Sequence, residues 1–205
     1  MKSSPMSRRI RRWSSVVVSL AASLIIIPAD AGAAPAGPTG PLAGQMVEIL
    51  AQQPGGVQVS DNALAWEGGH MVVVLPASGE RVAPTGLGSN PRVSEARSMG
   101  LEELVDPVGV QDVHGCPSGI TVPDNYCFYD DLHFHGSRWQ FSETCSSDAA
   151  NWGFASRTSS WVNTDTDKTI HARDGLSILW NEPENSVSTY VGDHNNDRMK
   201  SWTCS

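Results

Sequence analysis

The sequence predicts an all-β protein whose second half, residues 114–205, is a sandwich of two Greek keys, preceded by a small helix and a β-hairpin. Three observations predict this fold. Short apolar runs alternate with Gly, Asn and Asp, which is typical of short strands joined by turns. Several residues recur at a spacing of 41 positions, and all four cysteines of the 205-residue chain lie in its second half.

Residues 1–33 are predicted to be a secretory signal peptide. A basic stretch opens the chain, an apolar run follows from Val16 to Ile27, and alanines at every second position end at Ala33. Signal peptides have basic, apolar and small-residue segments in this order. A membrane anchor is the alternative, but the uncharged stretch is only just long enough to span a bilayer and contains serines and a proline. We therefore expect a secreted, extracellular protein with no membrane attachment after signal cleavage.

Two segments separate this leader from the repeat. Residues 34–76 contain a predicted short helix at 46–53, ended by Pro-Gly-Gly, and a predicted hairpin at 57–75 with Gly-Gly at its turn. An isolated hairpin is marginally stable in water, so we expect it to pack on the rest of the protein or to be removed as a pro-region. Residues 77–113 look irregular apart from a short helix within 94–104, and we interpret them as a linker.

The repeat defines the main domain at residues 114–205. Six residue pairs share one offset, which indicates a duplicated unit. The pairs are Trp139 and Trp180, Glu143 and Glu184, Ser147 and Ser188, Arg157 and Arg198, Ser160 and Ser201, and Trp161 and Trp202. Short strands in units of this length favour four-stranded Greek keys packed as a sandwich, with the repeated tryptophans as core aromatics.

Export changes the interpretation of the cysteines. Outside the cytosol, four cysteines without CxxC spacing indicate two disulfides rather than a metal site. Three pairings are possible. We favour Cys116 with Cys127, a short staple, and Cys145 with Cys204, which would tie the end of the chain to the fold.

Charge and motif content exclude several function classes. The net charge is −8, and it becomes more negative once the basic leader is removed, so a nucleic-acid partner is not expected. The chain has no Gly-x-Ser-x-Gly, no His-Glu-x-x-His and no phosphate-binding glycine loop. We therefore expect a monomeric protein that is not an enzyme.

The stretch from Tyr129 to Gly136 has an aromatic at its first and sixth positions and a glycine at its eighth. A folded hairpin requires this pattern, because two aromatics pack across the fold and the glycine takes a conformation that a β-carbon disfavours. With the later Thr-Ser-Ser-Trp at 158–161, the pattern resembles a βγ-crystallin Greek key. Residues 114–205 as a whole, from Cys116-Pro-Ser-Gly to Asn196-Asp-Arg, resemble the secreted actinobacterial peptidase-inhibitor family whose namesake blocks a thermolysin-like metalloproteinase.

This resemblance implies that the protein inhibits an extracellular peptidase, but it does not supply the inhibitory residues. The namesake's inhibitory bond lies in a small disulfide loop of its second Greek key, whereas here only Cys204 follows Cys145. A proline-stiffened loop between the first two cysteines is the alternative contact, since its ordering cost would be met in advance. The candidate inhibitory residues are Ile120, Thr121 and Val122. An ordinary connection is the competing interpretation of this loop.

The resemblance also implies calcium sites. The calcium sites of βγ-crystallins resemble a six-residue pattern, in which two Asn or Asp residues are followed by two arbitrary residues, then Ser or Thr, and then Ser. The pattern is rich in oxygen because a hard cation needs several oxygens that converge on it. Each of the two runs here has lost a ligand, since Ala155 has no side-chain oxygen and Lys200 brings an ammonium. The remaining candidate ligands are Ser159, Asn196 and Asp197. We expect no resident cofactor and weak or lost calcium binding, so the alternative function is an extracellular structural or binding module.

His133-x-His135 is a further motif in the same hairpin. On a strand, this spacing places two imidazoles on one face, as a transition-metal site requires. The sequence identifies no third ligand, and surface histidines without a ligand are the competing interpretation.

Overall fold

A computed structural model describes residues 37–106, 111–119 and 124–205. The predicted signal peptide and Ile120, Thr121 and Val122 lie outside the described residues. In chain order, the helices and strands are α1 (Ala43–Gln52), β1 (Val57–Gln58), β2 (Ala63–Trp66), β3 (Met71–Val74), α2 (Val93–Ser98), α3 (Glu102–Val105), β4 (Gln111–Val113), β5 (Cys116–Ser118), β6 (Asn125–Tyr129), β7 (Arg138–Ser142), β8 (Ser146–Asp148), β9 (Ser160–Asn163), β10 (Ile170–Asp174), β11 (Ser177–Glu182), β12 (Ser186–Ser188) and β13 (Ser201–Cys204). No helix among these is long and apolar enough to cross a membrane.

Two antiparallel sheets form the main domain, and they exchange strands. One sheet has the order β1-β2-β3-β7-β6-β9-β12 and the other β11-β10-β13-β8. The first repeat unit consists of β6 to β9; it contributes β6, β7 and β9 to the first sheet and its third strand, β8, to the second. The second repeat unit consists of β10 to β13, and its third strand, β12, lies in the first sheet in the same way. Each unit is therefore a four-stranded Greek key, and the predicted all-β fold with two Greek keys is confirmed.

The sequence repeat corresponds to equivalent strands. Trp139 lies on β7 and Trp180 on β11, which are the second strands of the two units. Trp161 and Trp202 lie on the fourth strands, β9 and β13. Trp180 is half-buried and the other three are buried. The prediction that these tryptophans are core aromatics is therefore confirmed for three of them.

The centre of the core is aromatic. Trp202 is completely buried, and its indole Nε1 donates to the Tyr126 hydroxyl at 2.6 Å. That hydroxyl donates in turn to the carbonyl oxygen of Thr144. The Phe141 ring lies 4.6 Å from the Trp202 ring, between centroids. Tyr126 therefore joins the two Greek keys through one polar contact inside an apolar cluster, which leaves its hydroxyl with both a donor and an acceptor.

The N-terminal segment packs on this core. β3 pairs with β7, with Val73 opposite Trp139, so the hairpin extends the sheet of the first Greek key. The Trp66 and Trp152 rings pack edge to face, with their centroids 6.0 Å apart. The first arm of the hairpin is two strands instead of one, because a turn at residues 59–62 folds β1 back along β2. Asn62 N donates to Ser60 Oγ at 2.9 Å and closes this turn.

The segment predicted to be a linker covers the outer face of the hairpin. Its apolar residues are buried against β2 and β3; they are Ala83, Leu87, Ala96, Leu101 and Leu104. The single helix expected within 94–104 is two short helices, α2 and α3, since Gly100 between them has a left-handed φ of 66°.

One arginine fixes this segment to the main domain. Arg138, on β7, is completely buried, and its guanidinium donates to the carbonyl oxygens of Pro84 at 2.9 Å and Gly86 at 3.0 Å. Burial lowers its pKa from the ordinary value. A Cβ at Gly115 would lie 2.3 Å from Arg138 Nη1, so only glycine leaves room for the guanidinium there.

Both favoured disulfides are present. Cys116 bonds to Cys127, closing a loop across β5 and β6, and Cys145 bonds to Cys204, joining the two units at the end of the chain. No cysteine is left free.

Candidate functional site

The folded hairpin at 129–136 has the predicted form. Tyr129 and Phe134 pack edge to face with ring centroids 5.5 Å apart. Gly136 has φ 76°, and a Cβ there would lie 2.8 Å from the Asp130 Cβ. His133 and His135 lie in this hairpin around a short 3-10 turn, so their placement on a strand was wrong. Two consecutive left-handed residues, His133 and Phe134, make the fold-over.

A cavity of about 510 Å³, here called the hairpin cavity, lies between the folded hairpin and the loop at 190–198. Its lining includes Asp131, His133, Ser159, Tyr190, Asn196 and Asp197. The structure thus brings together Ser159, Asn196 and Asp197, the three candidate cation ligands, although they are up to 38 residues apart in the chain.

Backbone hydrogen bonds hold the two loops of this cavity. Val191 N donates to Ser159 O at 3.0 Å, and Asp197 N donates to Thr158 O at 3.3 Å. Asn196 N donates to Gly192 O at 3.0 Å. The cavity is therefore bounded by fixed backbone, and its side-chain oxygens have limited freedom.

Several side chains that line the cavity carry oxygen atoms. Asn196 Oδ1 is buried without a hydrogen-bond partner in the part of the chain that the structure describes, which is costly unless a water or an ion contacts it. The Asn196 amide nitrogen donates to Asp197 Oδ2 at 2.7 Å, which directs its oxygen away from that carboxylate. Carboxylate, carboxamide and hydroxyl oxygens are the ligands that calcium prefers.

Asp130 has a structural role beside this cavity. Its Oδ2 accepts from Arg157 at 2.6 Å and its Oδ1 from the Trp139 indole at 3.1 Å. Burial raises the pKa of Asp130, and Arg157 opposes that shift. Because its oxygens are already engaged, Asp130 fixes the hairpin to β7 instead of offering a free ligand.

The later part of the second run, which spans residues 196–201, has no such oxygen set around Arg198 and Lys200. The Lys200 ammonium lies 2.8 Å from Asp174 Oδ1, and Arg198 lies 3.1 Å from Oδ2. Hydrogen bonds from Lys200 and then Arg198 lower the pKa of Asp174. The positive charge that a calcium ion would bring to Asp174 is therefore supplied by the side chains of Lys200 and Arg198.

The loop between the first two cysteines has a fixed base. Thr164 Oγ1 lies 2.8 Å from the carbonyl oxygens of both Pro117 and Asn125, at the two ends of the loop. The Cys116–Cys127 disulfide closes it below. The candidate inhibitory residues Ile120, Thr121 and Val122 are in the part of this loop that lies outside the described residues. The contribution of Thr164 was missed, since a lone threonine gives no sequence signal.

Next to this base, the carboxylates of Asp124, Asp165 and Asp167 approach one another within 4.8 Å. Lys168 Nζ lies 3.0 Å from Asp165 and 3.6 Å from Asp167. Burial opposes ionisation of Asp165, but hydrogen bonds from Asp167 and Lys168 lower its pKa overall. Sequence analysis missed this group, whose Asp-x-Asp-Lys pattern is explained by a turn with an internal ion pair.

A serine, a histidine and a glutamate also meet on the first sheet. His70 Nδ1 lies 3.3 Å from Ser142 Oγ and 3.8 Å from Glu143 Oε2. A hydrolase relay needs the serine and the acid on opposite ring nitrogens, whereas here both approach the same one. This arrangement is not a catalytic triad.

Part of the chain is similar to several solved structures. A structure described under the evolution of the eye lens βγ-crystallin domain fold is 18% identical, covers 43% of this chain and 91% of its own, and has a TM-score of 0.36. A βγ-crystallin from Ciona intestinalis is 16% identical, with 40% and 99% coverage and a TM-score of 0.33. A βγ-crystallin domain from Clostridium beijerinckii is 16% identical, with 38% and 94% coverage and a TM-score of 0.32.

These neighbours are βγ-crystallin domains. No family model and no curated protein matches the chain. At this level of similarity the fold is supported by the strand order described above rather than by the scores. In this chain, the strands β1 to β3 of the N-terminal segment extend the first sheet at one edge.

Proposed function

We propose that the protein is an extracellular binding module of βγ-crystallin type whose hairpin cavity takes calcium with weak affinity. The observation that carries this proposal is the buried, unpartnered Oδ1 of Asn196, a residue that lines the hairpin cavity together with Ser159 and Asp197. The predicted signal peptide and the two disulfides support an extracellular location.

Four side chains would hold the ion. Asp131 and Asp197 supply negative charge, and Asn196 and Ser159 supply neutral oxygens. When bound, calcium supplies charge neutralisation and a link between the two loops. Arg81 also lines the cavity, and its positive charge is one reason to expect weak binding.

Calcium is expected to stabilise the protein. Extracellular calcium modules bind with dissociation constants of about 0.1–1 mM, and at ten times the dissociation constant the free energy of unfolding rises by about 1.4 kcal/mol. Thermal unfolding with calcium and with a chelator measures this difference. Asn196→Ala and Asp197→Asn should remove the response, whereas Asp167→Asn, in the other acidic group, should keep it. An equal response in all variants, or no response at 10 mM calcium, contradicts the proposal.

A second candidate function is inhibition of an extracellular peptidase, such as a thermolysin-like metalloproteinase. One observation favours it: the carbonyl oxygens of Pro117 and Asn125 both lie 2.8 Å from the Thr164 hydroxyl, which donates to one of them at a time, and a disulfide joins Cys116 to Cys127. A loop with a fixed base loses less entropy on entering a protease cleft. The contact residues would be Ile120, Thr121 and Val122, and the apolar side chains of Ile120 and Val122 suit such a cleft.

Titration of a thermolysin-like enzyme with the oxidised protein tests this function. Stoichiometric loss of activity is expected, and mass spectrometry should place any slow cleavage between Cys116 and Cys127. Ile120→Asp should weaken inhibition at least tenfold, since it places a charge in an apolar contact. Val187→Asp, on the exposed side of β12, is the matched control. Full enzyme activity at tenfold excess of intact protein excludes this enzyme class.

A further inference from the structure

Three histidines from separate parts of the fold line one cavity. His133 and His135 come from the folded hairpin, and His114 comes from the turn between β4 and β5. The cavity, here called the histidine cavity, has a volume of about 330 Å³, and Asp112 also lines it. His114 supplies the third imidazole that the sequence motif alone could not identify.

The ring nitrogens distinguish these three histidines from the other three in the chain. His70 Nδ1 is paired with Ser142, His171 uses both nitrogens on Asn181 and Ser205, and His194 Nε2 faces Arg198. In the described part of the chain, no hydrogen bond or ion pair engages the ring nitrogens of the histidine cavity. These nitrogens are therefore available to a ligand.

Backbone and ring contacts hold the segments that carry the three histidines. His133 N donates to Thr189 O at 2.9 Å, and Gly136 N donates to Arg81 O at 2.7 Å, so both ends of the hairpin are fixed. The His114 ring is stacked on Phe134 at 3.8 Å between centroids. Phe134 thus lies between His133 and His135 in the sequence, and its ring face contacts the ring of His114.

The ring nitrogens of His114, His133 and His135 do not all lie within 4.8 Å of one another in this structure, so a chelate requires side-chain rotation. The centroids of His133 and His135 are 6.4 Å apart. His133 is exposed and His135 is half-buried, so these two rings meet little packing resistance on turning, whereas the exposed His114 ring is held by its stacking on Phe134. Imidazole nitrogens bind zinc at about 2.0–2.1 Å, and three of them with one water complete a tetrahedral shell.

We propose that His114, His133 and His135 form a binding site for a borderline transition-metal ion, with zinc as its representative. Imidazole ligands favour zinc, nickel and copper over calcium, which prefers oxygen. This site is additional to the calcium site proposed above and does not depend on it. Its effect is to connect the folded hairpin with the β4–β5 turn.

Calorimetric titration of the full, untagged, oxidised chain with zinc chloride tests the site. One zinc per chain is expected. His133→Asn and His114→Asn should each weaken zinc binding at least tenfold, and asparagine is chosen because both positions have a left-handed φ, of 58° and 54°. His135→Gln should have the same effect. His194→Asn and His171→Asn are the matched controls and should bind zinc like the wild type.

Three results would overturn the proposal: no zinc binding at 1 mM, unchanged affinity in the His133 and His114 variants, or loss of binding in a control variant. Unfolding curves without metal check that the variants fold. If His114→Asn is unfolded because it loses the contact with Phe134, the His133→Asn result decides. Asp197→Asn distinguishes the two proposed sites, because it should abolish the stabilisation by calcium and leave the zinc affinity unchanged.

Discussion

Arg138→Ala is expected to destabilise the protein by about 2–5 kcal/mol, because two buried carbonyl oxygens lose their donors and the large side chain leaves a cavity. The substitution leaves the carbonyl oxygens of Pro84 and Gly86 without donors and opens a cavity under the segment at 77–88. An unsatisfied buried carbonyl costs about 1–3 kcal/mol. Urea unfolding followed by tryptophan fluorescence measures the change.

Two further variants separate the causes. Arg138→Met fills most of the volume but supplies no donor, so it should recover part of the loss and isolate the cost of the unpaired carbonyls. Arg97→Ala, in the exposed last turn of α2, should change stability by less than about 0.5 kcal/mol. Equal stability of the Arg138→Ala and Arg97→Ala proteins would show that the guanidinium contacts do not hold the segment.

Glu182→Gln is expected to stabilise the protein at alkaline pH and to remove a large part of its pH dependence. Glu182 is completely buried; its Oε1 accepts from the Trp180 indole at 2.8 Å, and its Oε2 has no partner among the described residues. Burial raises the pKa of Glu182 well above 4.5, and the Trp180 hydrogen bond opposes this only partly. The native state therefore keeps a proton that the unfolded chain loses.

The direction of this pH dependence follows from the number of protons bound in the folded and the unfolded state. Above pH 4.5 the unfolded chain releases the Glu182 proton and the folded chain does not, so stability falls as the pH rises toward the folded pKa. The slope is at most about 1.4 kcal/mol per pH unit. Unfolding free energies from pH 4 to 9 should show the wild type losing stability relative to Glu182→Gln, with the two similar near pH 4. Glu184→Gln, on an exposed residue, should keep the wild-type slope. Parallel curves for wild type and Glu182→Gln would refute the assignment.

Local patterns and the repeat predicted much of the fold. Trp139 and Trp180 predicted the equivalence of β7 and β11, and Tyr129, Phe134 and Gly136 predicted the folded hairpin. The buried Arg138 and Glu182 gave no such signal, because a charged residue in a strand usually indicates a solvent-facing position. Their burial depends on the segment that packs over β7 and on the strand exchange between sheets.

The candidate site was predicted in part. Ser159, Asn196 and Asp197 were identified from a degenerate motif, and the structure shows that they line one cavity. His114 could not be linked to His133 and His135, since a turn outside the motif brings it there. Contacts between distant parts of a chain depend on tertiary packing, which a motif of a few residues does not encode.

The additional strands β1 to β3 have a consequence for solubility. Without them, β7 would be an edge strand of five residues with open backbone donors and acceptors, and such edges recruit strands of other molecules into aggregates. With them, the large sheet ends in the two-residue β1 and the three-residue β12, which offer little to a foreign strand. The hairpin thus protects the domain from self-association, and a cleavage that removed it would leave a molecule prone to aggregation.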